Sequence, residues 1–173
     1  MTRHLISLLI TCFVFISMDS NAQNKKTTPC SKAEYKQFDF WLGNWNVYDD
    51  KEQLIGTNNI VKMTSACAIQ ENWVSKVSTN KGTSYNYYNA TDTTWNQVWV
   101  DNTGYSLNLK GSYKNNRMTL RSGLVKSKKG DFYNQITWTK NSDHSVTQIW
   151  VIIDSNEKVV EELFRGNYKK ILK

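Results

Sequence analysis

The sequence predicts an all-β fold, an antiparallel up-and-down barrel of about ten strands with one short helix before the first strand. Two observations carry this prediction. From residue 44 onward, apolar and polar residues alternate with a period of two, as in half-buried strands. Short turns rich in Asn, Asp and Gly separate these segments, for example Asn80-Lys81-Gly82 and Asn102-Thr103-Gly104. Because so long a meander would expose two edges as an open sheet, closure into a barrel is favoured.

The predicted strands span residues 44–50, 53–64, 67–78, 82–89, 94–101, 104–111, 116–125, 130–140, 144–153 and 157–170. Tight turns join them, which indicates that strands adjacent in sequence are also neighbours in the sheet. Neither a linker nor a repeat of solenoid length interrupts the pattern. Residues 31–173 are therefore predicted to form one barrel domain.

The first 22 residues have the features of a secretory signal peptide. Arg3 and His4 precede an apolar run from Leu5 to Met18, and small residues lead up to a cleavage site after Ala22. The run is too short to span a bilayer, which takes about 20 residues. We expect a secreted or periplasmic protein without membrane insertion, in which residues 23–30 form a flexible lead-in.

A short amphipathic helix is predicted directly before the first strand. Ser31 and Glu34 have the spacing of a capping box, in which each side chain bonds the other residue's backbone N–H. An apolar face follows at helical spacing, formed by Tyr35, Phe38, Trp41 and Leu42. Gly43 stands where a left-handed residue would end the helix.

Two cysteines lie beyond the signal peptide, Cys30 and Cys67. In an oxidising compartment they are expected to form a disulfide, worth roughly 3–4 kcal/mol at most on the chain-entropy model. The alternative is a pair of free, buried thiols. Two cysteines without a nearby histidine do not make a zinc site.

The formal net charge of +7 comes from 22 Lys and Arg against 15 Asp and Glu. Lys126, Lys128 and Lys129 cluster near one predicted hairpin tip, yet most lysines are spread over strands and turns as on a solvated surface. Export also separates the chain from nucleic acid. We therefore predict no nucleic-acid partner and a monomeric protein.

The sequence indicates neither a metal site nor a cofactor. His144 is the only histidine after residue 22 and lies beside a predicted turn, so a multi-histidine metal site is excluded and a haem ligand is disfavoured. A Ser or Cys nucleophile would also lack a base. The neighbouring carboxylates Asp49-Asp50 and Glu161-Glu162 point to opposite faces of their strands. No catalytic residue is predicted, with Glu71 as the alternative.

Polar residues occur in phase with large aromatic residues on four predicted strands. If the tryptophans face inward, the polar side chains do too, and burying them unpaired costs roughly 1–3 kcal/mol each. Ligand cavities combine aromatic walls with a few polar groups in this way. The candidate ligand-binding residues are Glu71, Trp73, Asn86, Trp95, Gln97, Trp99, Gln148 and Trp150. Two alternatives are a filled core with an internal hydrogen-bond network, and a reversed phase that leaves the amides in water.

Two segments concern the closure of the barrel. Gly43 and Trp45 open the first strand, and Arg165 lies on the last. Since the first and last strands of a closed meander are neighbours, Arg165 is expected to stack on Trp45 across the seam. All three residues are predicted to be structural.

These segments resemble the calycin superfamily, which includes the lipocalins. More closely, the chain resembles a family of secreted bacterial proteins of unknown function with an FDFW-x-G-x-W opening. The matching segments are Cys30, residues 38–47, Cys67, Glu71 with Trp73, Ser84-x-Asn86-x-Tyr88, residues 95–101 and residues 164–168. The resemblance implies a lipocalin-like barrel and says nothing about activity.

The functional hypothesis is that the barrel binds a small polar-aromatic or amphipathic molecule in its interior. One alternative is an enzyme that uses Glu71 as a general base, which requires a raised pKa and an open pocket beside it. The other is a non-catalytic structural or interaction module of the cell envelope with a filled core.

Overall fold

The fold, described for residues 28–171 in a computed structural model, is a closed barrel of ten antiparallel strands. Each strand pairs with its neighbours in sequence, and β10 closes the barrel against β1, which confirms the predicted topology. The strands are β1 (Gly43–Tyr48), β2 (Leu54–Met63), β3 (Ala68–Ser75), β4 (Lys81–Asn89), β5 (Thr94–Asp101), β6 (Ser106–Lys114), β7 (Arg117–Arg121), β8 (Phe132–Lys140), β9 (Val146–Asp154) and β10 (Val159–Lys170). The predicted signal peptide and residues 23–27 of the lead-in lie outside the described residues.

The alternating strand directions give the barrel two different ends. Residues 28–42 and the connections at 64–67, 90–93, 115–116 and 141–145 lie at one end, here called the closed end. The opposite end, called the mouth, carries the connections at 49–53, 76–80, 102–105, 122–131 and 155–158.

The helical segment before β1 consists of two 3₁₀ helices, Ala33–Lys36 and Asp39–Trp41. Phe38 and Trp41 are fully buried, and their stacked rings lie 4.9 Å apart. A separation of three residues places side chains above one another in a 3₁₀ helix, which explains this stack. The predicted capping box is wrong, because Lys32 is the N-cap residue and no side chain caps the helix.

Phe38 closes this end of the barrel by packing into the interior. Its ring lies 5.2 Å from that of Trp138 and 5.7 Å from that of Trp95, both in edge-to-face geometry. Trp45 ties the segment to β1 by donating its indole N–H to the Trp41 carbonyl at 2.8 Å. Ring pairs of this kind add stabilisation beyond the area they bury.

Cys30 and Cys67 form the predicted disulfide, with 5.2 Å between their Cα atoms. It joins the start of the helical segment to the residue before β3, so both anchors lie at the closed end. Among residues 28–171, no helix has the length and hydropathy that a membrane crossing requires.

The seam between β1 and β10 corrects one prediction. Trp45 pairs with Lys170, whose ammonium group lies 5.3 Å from the centre of the indole ring. Arg165 precedes the segment that pairs with β1, and it bonds Glu162 instead. The stacked cation is therefore Lys170, because strand register brings it opposite Trp45. Gly43 directly follows Leu42, the C-cap of the second 3₁₀ helix, and has a positive φ of 132°, as predicted for this position; it is also the first residue of β1.

Candidate functional site

A cavity of about 280 Å³ occupies the half of the barrel nearer the mouth. This volume is close to the lower limit for pockets that bind small molecules, roughly 300 Å³. The lining residues are Glu71, Trp73, Asn80, Gln97, Trp99, Leu107, Ile136, Gln148, Trp150, Leu163, Phe164 and Tyr168. Aromatic rings are concentrated towards the mouth, and the polar groups lie deeper.

Four aromatic side chains form the upper wall of the cavity: Trp73, Trp99, Trp150 and Phe164. All four remain partly exposed, so a molecule entering from the mouth meets them first. The rings of Trp73 and Phe164 pack edge to face with centres 5.9 Å apart. This contact links β3 to β10 across the cavity wall.

Two glycines provide space for tryptophan rings of this wall, each from the strand next to that of its tryptophan. A Cβ atom on Gly56 would lie 2.1 Å from the Trp73 ring, and one on Gly82 would lie 2.1 Å from the Trp99 ring. Each ring therefore lies directly against glycine backbone. Any larger residue at these positions must displace a tryptophan of the wall.

Gly82→Ala should displace Trp99 and lower the free energy of unfolding by about 1–3 kcal/mol, the usual cost of overpacking. Near-ultraviolet circular dichroism and urea unfolding measure the two effects. Gly123→Ala is the matched control, because a Cβ atom there meets nothing within 4 Å. Identical spectra and stabilities for the two variants would contradict the close packing of Trp99 against Gly82.

Trp150 is held by contacts on two sides. Its indole N–H donates to Asn134 Oδ1 at 3.0 Å, and the ring of Tyr105 stacks on it at 6.4 Å with an interplanar angle of 22°. Asn134 is itself buried. The orientation of this wall residue is thus determined by the protein before any ligand arrives.

Glu71 is the ionisable centre of the cavity floor and is only 4% exposed. Its Oε1 accepts a hydrogen bond from Asn58 Nδ2 at 2.7 Å, and its Oε2 accepts one from the Ser84 hydroxyl at 2.6 Å. Both donors lie on the strands that flank β3. The carboxyl group is therefore held between its two neighbouring strands.

A chain of polar side chains continues from Ser84 along the floor. Asn86 Nδ2 donates to Ser84 Oγ at 2.9 Å, and Gln97 Nε2 donates to Asn86 Oδ1 at 2.9 Å. Gln97 Oε1 accepts no hydrogen bond from another residue in the described part of the chain. The network thus uses the amide donor of Gln97 and leaves its acceptor for a group in the cavity.

Tyr168 and Gln148 complete the floor on the opposite side. The Tyr168 hydroxyl donates to Gln148 Oε1 and accepts a 3.4 Å hydrogen bond from Asn58 Nδ2. Within residues 28–171, Gln148 Nε2 donates to no other residue. Gln148 therefore presents a donor to the cavity, whereas Gln97 presents an acceptor.

Burial raises the pKa of Glu71 to about 7, because desolvation penalises the charged form more than the hydrogen bonds from Ser84 and Asn58 favour it. Burial also raises the pKa of Tyr168 well above its usual value, and the nearby Glu71 charge adds to this effect. Tyr168 therefore stays neutral, and Glu71 changes charge close to neutral pH.

Six of the eight predicted ligand-binding residues line the cavity: Glu71, Trp73, Gln97, Trp99, Gln148 and Trp150. The other two do not. Asn86 lies behind the lining and positions Gln97, while Trp95 packs at the closed end and donates its indole N–H to Gln37 at 3.0 Å. Trp95 and Trp99 share a face of β5 but lie four residues, roughly 13 Å, apart along the strand, so Trp95 stands at the closed end and only Trp99 reaches the cavity.

The sequence analysis did not single out several site residues. Asn58 and Tyr168 hold the floor together, and Leu107, Ile136, Leu163 and Phe164 add apolar wall. The period-two alternation that revealed Gln97 also places Asn58 in phase with the buried Ile60. Tyr168 lies in phase with Phe164 on β10, so the same signal was present there.

No protein-family model matches the sequence, and no curated protein matches it.

Proposed function

We propose that the protein is an exported, lipocalin-like barrel that binds a small polar-aromatic or amphipathic molecule in its interior. The observation that carries the proposal is the cavity itself, an aromatic upper wall above a floor that presents Gln97 Oε1 and Gln148 Nε2, neither of which has a partner among residues 28–171. Such a combination of apolar walls and few oriented polar groups is typical of ligand sites. The disulfide supports export, since disulfides persist in oxidising compartments.

Native mass spectrometry tests this proposal directly. Protein purified without denaturation from the cells that produce it should carry a bound mass that is lost on unfolding. Leu107→Trp should abolish the bound mass by filling the cavity that Leu107 lines. Val98→Trp is the control, because it adds the same ring to the exposed outer face of β5.

A bound mass that survives in Leu107→Trp would show that the molecule lies elsewhere. Absence of any bound mass, together with a clear loss of stability in Leu107→Trp, would favour the structural module of the cell envelope with a filled core, because a filled core cannot take the larger ring.

A second candidate function is catalysis with Glu71 as general base. Its pKa of about 7 and its position on the cavity floor meet both requirements of that mechanism. In this case Glu71→Gln would retain the bound molecule but stop its turnover, which mass spectrometry of the ligand over time would detect.

A further inference from the structure

We infer that the cavity selects an aromatic molecule carrying a protonated nitrogen, such as an aryl-alkyl amine, with Glu71 as its counter-ion. The inference rests on the proposed function, because it names the class of molecule that the cavity binds. Its basis is the distribution of charge on the cavity lining.

Within the described part of the chain, Glu71 is the one carboxyl group on the lining, and no cationic side chain accompanies it. Across residues 28–171, neither Lys, Arg nor His contributes to the cavity surface. The ion pairs identified in this part of the chain involve other carboxylates, so Glu71 also lacks a cation outside the lining. A buried carboxylate without a counter-charge is unfavourable, and a cationic ligand removes that cost.

An anionic ligand meets the opposite situation. A carboxylate or phosphate in this cavity would find no cation and would approach the Glu71 charge. Fatty acids in particular require a basic anchor and mostly aliphatic walls, and this lining offers neither. The charge of the floor therefore disfavours anionic ligands.

The aromatic wall favours the same class of molecule. Trp73, Trp99 and Trp150 present their rings above the floor, and aromatic faces attract cations as well as stacking on flat ligands. The Gln97 carbonyl oxygen offers a further acceptor for an ammonium N–H. A flat ring between the tryptophans with an amine directed towards Glu71 uses all of these groups.

The preference should depend on pH, because only ionised Glu71 acts as a counter-ion. The groups that face it are Asn58 from β2, Ser84 from β4 and, across the barrel, Tyr168 from β10. Of these only Tyr168 can titrate, and its raised pKa keeps it neutral. The pKa of about 7 for Glu71 supports a change in selectivity between mildly acidic and mildly alkaline solution.

Isothermal titration calorimetry with three matched naphthalene probes tests the inference. The probes are 2-(1-naphthyl)ethylamine, 2-(1-naphthyl)ethanol and 1-naphthylacetate, which are cationic, neutral and anionic at about pH 8. We expect the amine to bind at least about tenfold more tightly than the alcohol and the acetate to bind most weakly, as for a buried charge pair. At about pH 5.5 the advantage of the amine over the alcohol should disappear.

Glu71→Gln should lower the affinity for the amine at least about tenfold and leave the affinity for the alcohol within about twofold. Glu161→Gln is the control, because it removes the same charge from an exposed position on β10. Binding of the alcohol by Glu71→Gln would also show that the variant is folded.

Equal or tighter binding of 1-naphthylacetate would overturn the inference and leave the proposed binding function standing. Failure of all three probes to bind would equally overturn it. Whether the cavity holds any ligand is decided separately by the bound mass and its loss in Leu107→Trp, so the two proposals fail on different measurements.

Discussion

Replacing Phe38 by alanine should lower the free energy of unfolding by about 4 kcal/mol, within the range for buried aromatic residues. Phe38 is fully buried, and its ring contacts those of Trp41, Trp95 and Trp138. The substitution leaves a hole at the closed end that these large rings cannot fill by small shifts. Urea unfolding followed by tryptophan fluorescence measures the loss.

Tyr35→Ala is the control for Phe38→Ala, because Tyr35 lies in the same segment but is only partly buried, with its ring against Tyr88. Its cost should be clearly smaller. The cavity lies in the other half of the barrel, so Phe38→Ala should keep the affinity of any bound molecule within a few-fold while the protein remains folded. Equal destabilisation by the two variants would mean that Phe38 does not close the barrel.

Raising the pH from about 5 to about 8 should lower the free energy of unfolding of the ligand-free protein by about 2–3 kcal/mol through Glu71. In the unfolded chain this carboxyl has a pKa of 4.5, whereas in the folded protein it is about 7. Between these values the folded state retains a proton that the unfolded state has lost. Stability is therefore greatest below the lower value, falls as the pH rises through the interval, and levels off above the upper one.

Glu71→Gln should abolish this decrease, because glutamine resembles the protonated acid and carries no charge at any of these pH values. Rotation of the Asn58 amide exchanges its donor for Oδ1, a buried acceptor without a protein partner in the described chain, and so accommodates the new N–H group. Urea unfolding at several pH values measures the slope. Glu161→Gln should keep the wild-type slope, and a sloping Glu71→Gln would assign the effect to another group.

Exposed carboxylates act in a different pH range and do not obscure this result. Hydrogen bonds from Thr103 lower the pKa of Asp101, and those from Ser145 lower the pKa of Asp143. Such groups stabilise the folded protein above the ordinary aspartate pKa and lose that contribution as the pH falls. Their effect has the opposite sign and belongs to more acidic solution, below the interval in which Glu71 titrates.

The faces of the strands could be predicted because side-chain direction follows directly from a period of two. Glu71, Gln97 and Gln148 point inward as expected, since each alternates in phase with large apolar residues that must be buried. The disulfide followed from there being two cysteines after the predicted signal peptide. The helical segment was predicted in the right place, although its 3₁₀ form was not, because the spacing of three residues between Tyr35, Phe38 and Trp41 fits both kinds of helix.

Local pattern by itself determined which residues form strands, which side chains face inward and that polar groups would be buried among tryptophans. Only the tertiary structure decided how these groups meet. Asn58 and Tyr168 lie 110 residues apart, and barrel closure with its particular register brings them together beside Glu71. The position of the cavity near the mouth leaves Trp95 outside it, and the register of β1 against β10 places Lys170, not Arg165, over Trp45. Register and the position of the cavity arise from the sum of contacts around the whole barrel, so no single segment encodes them.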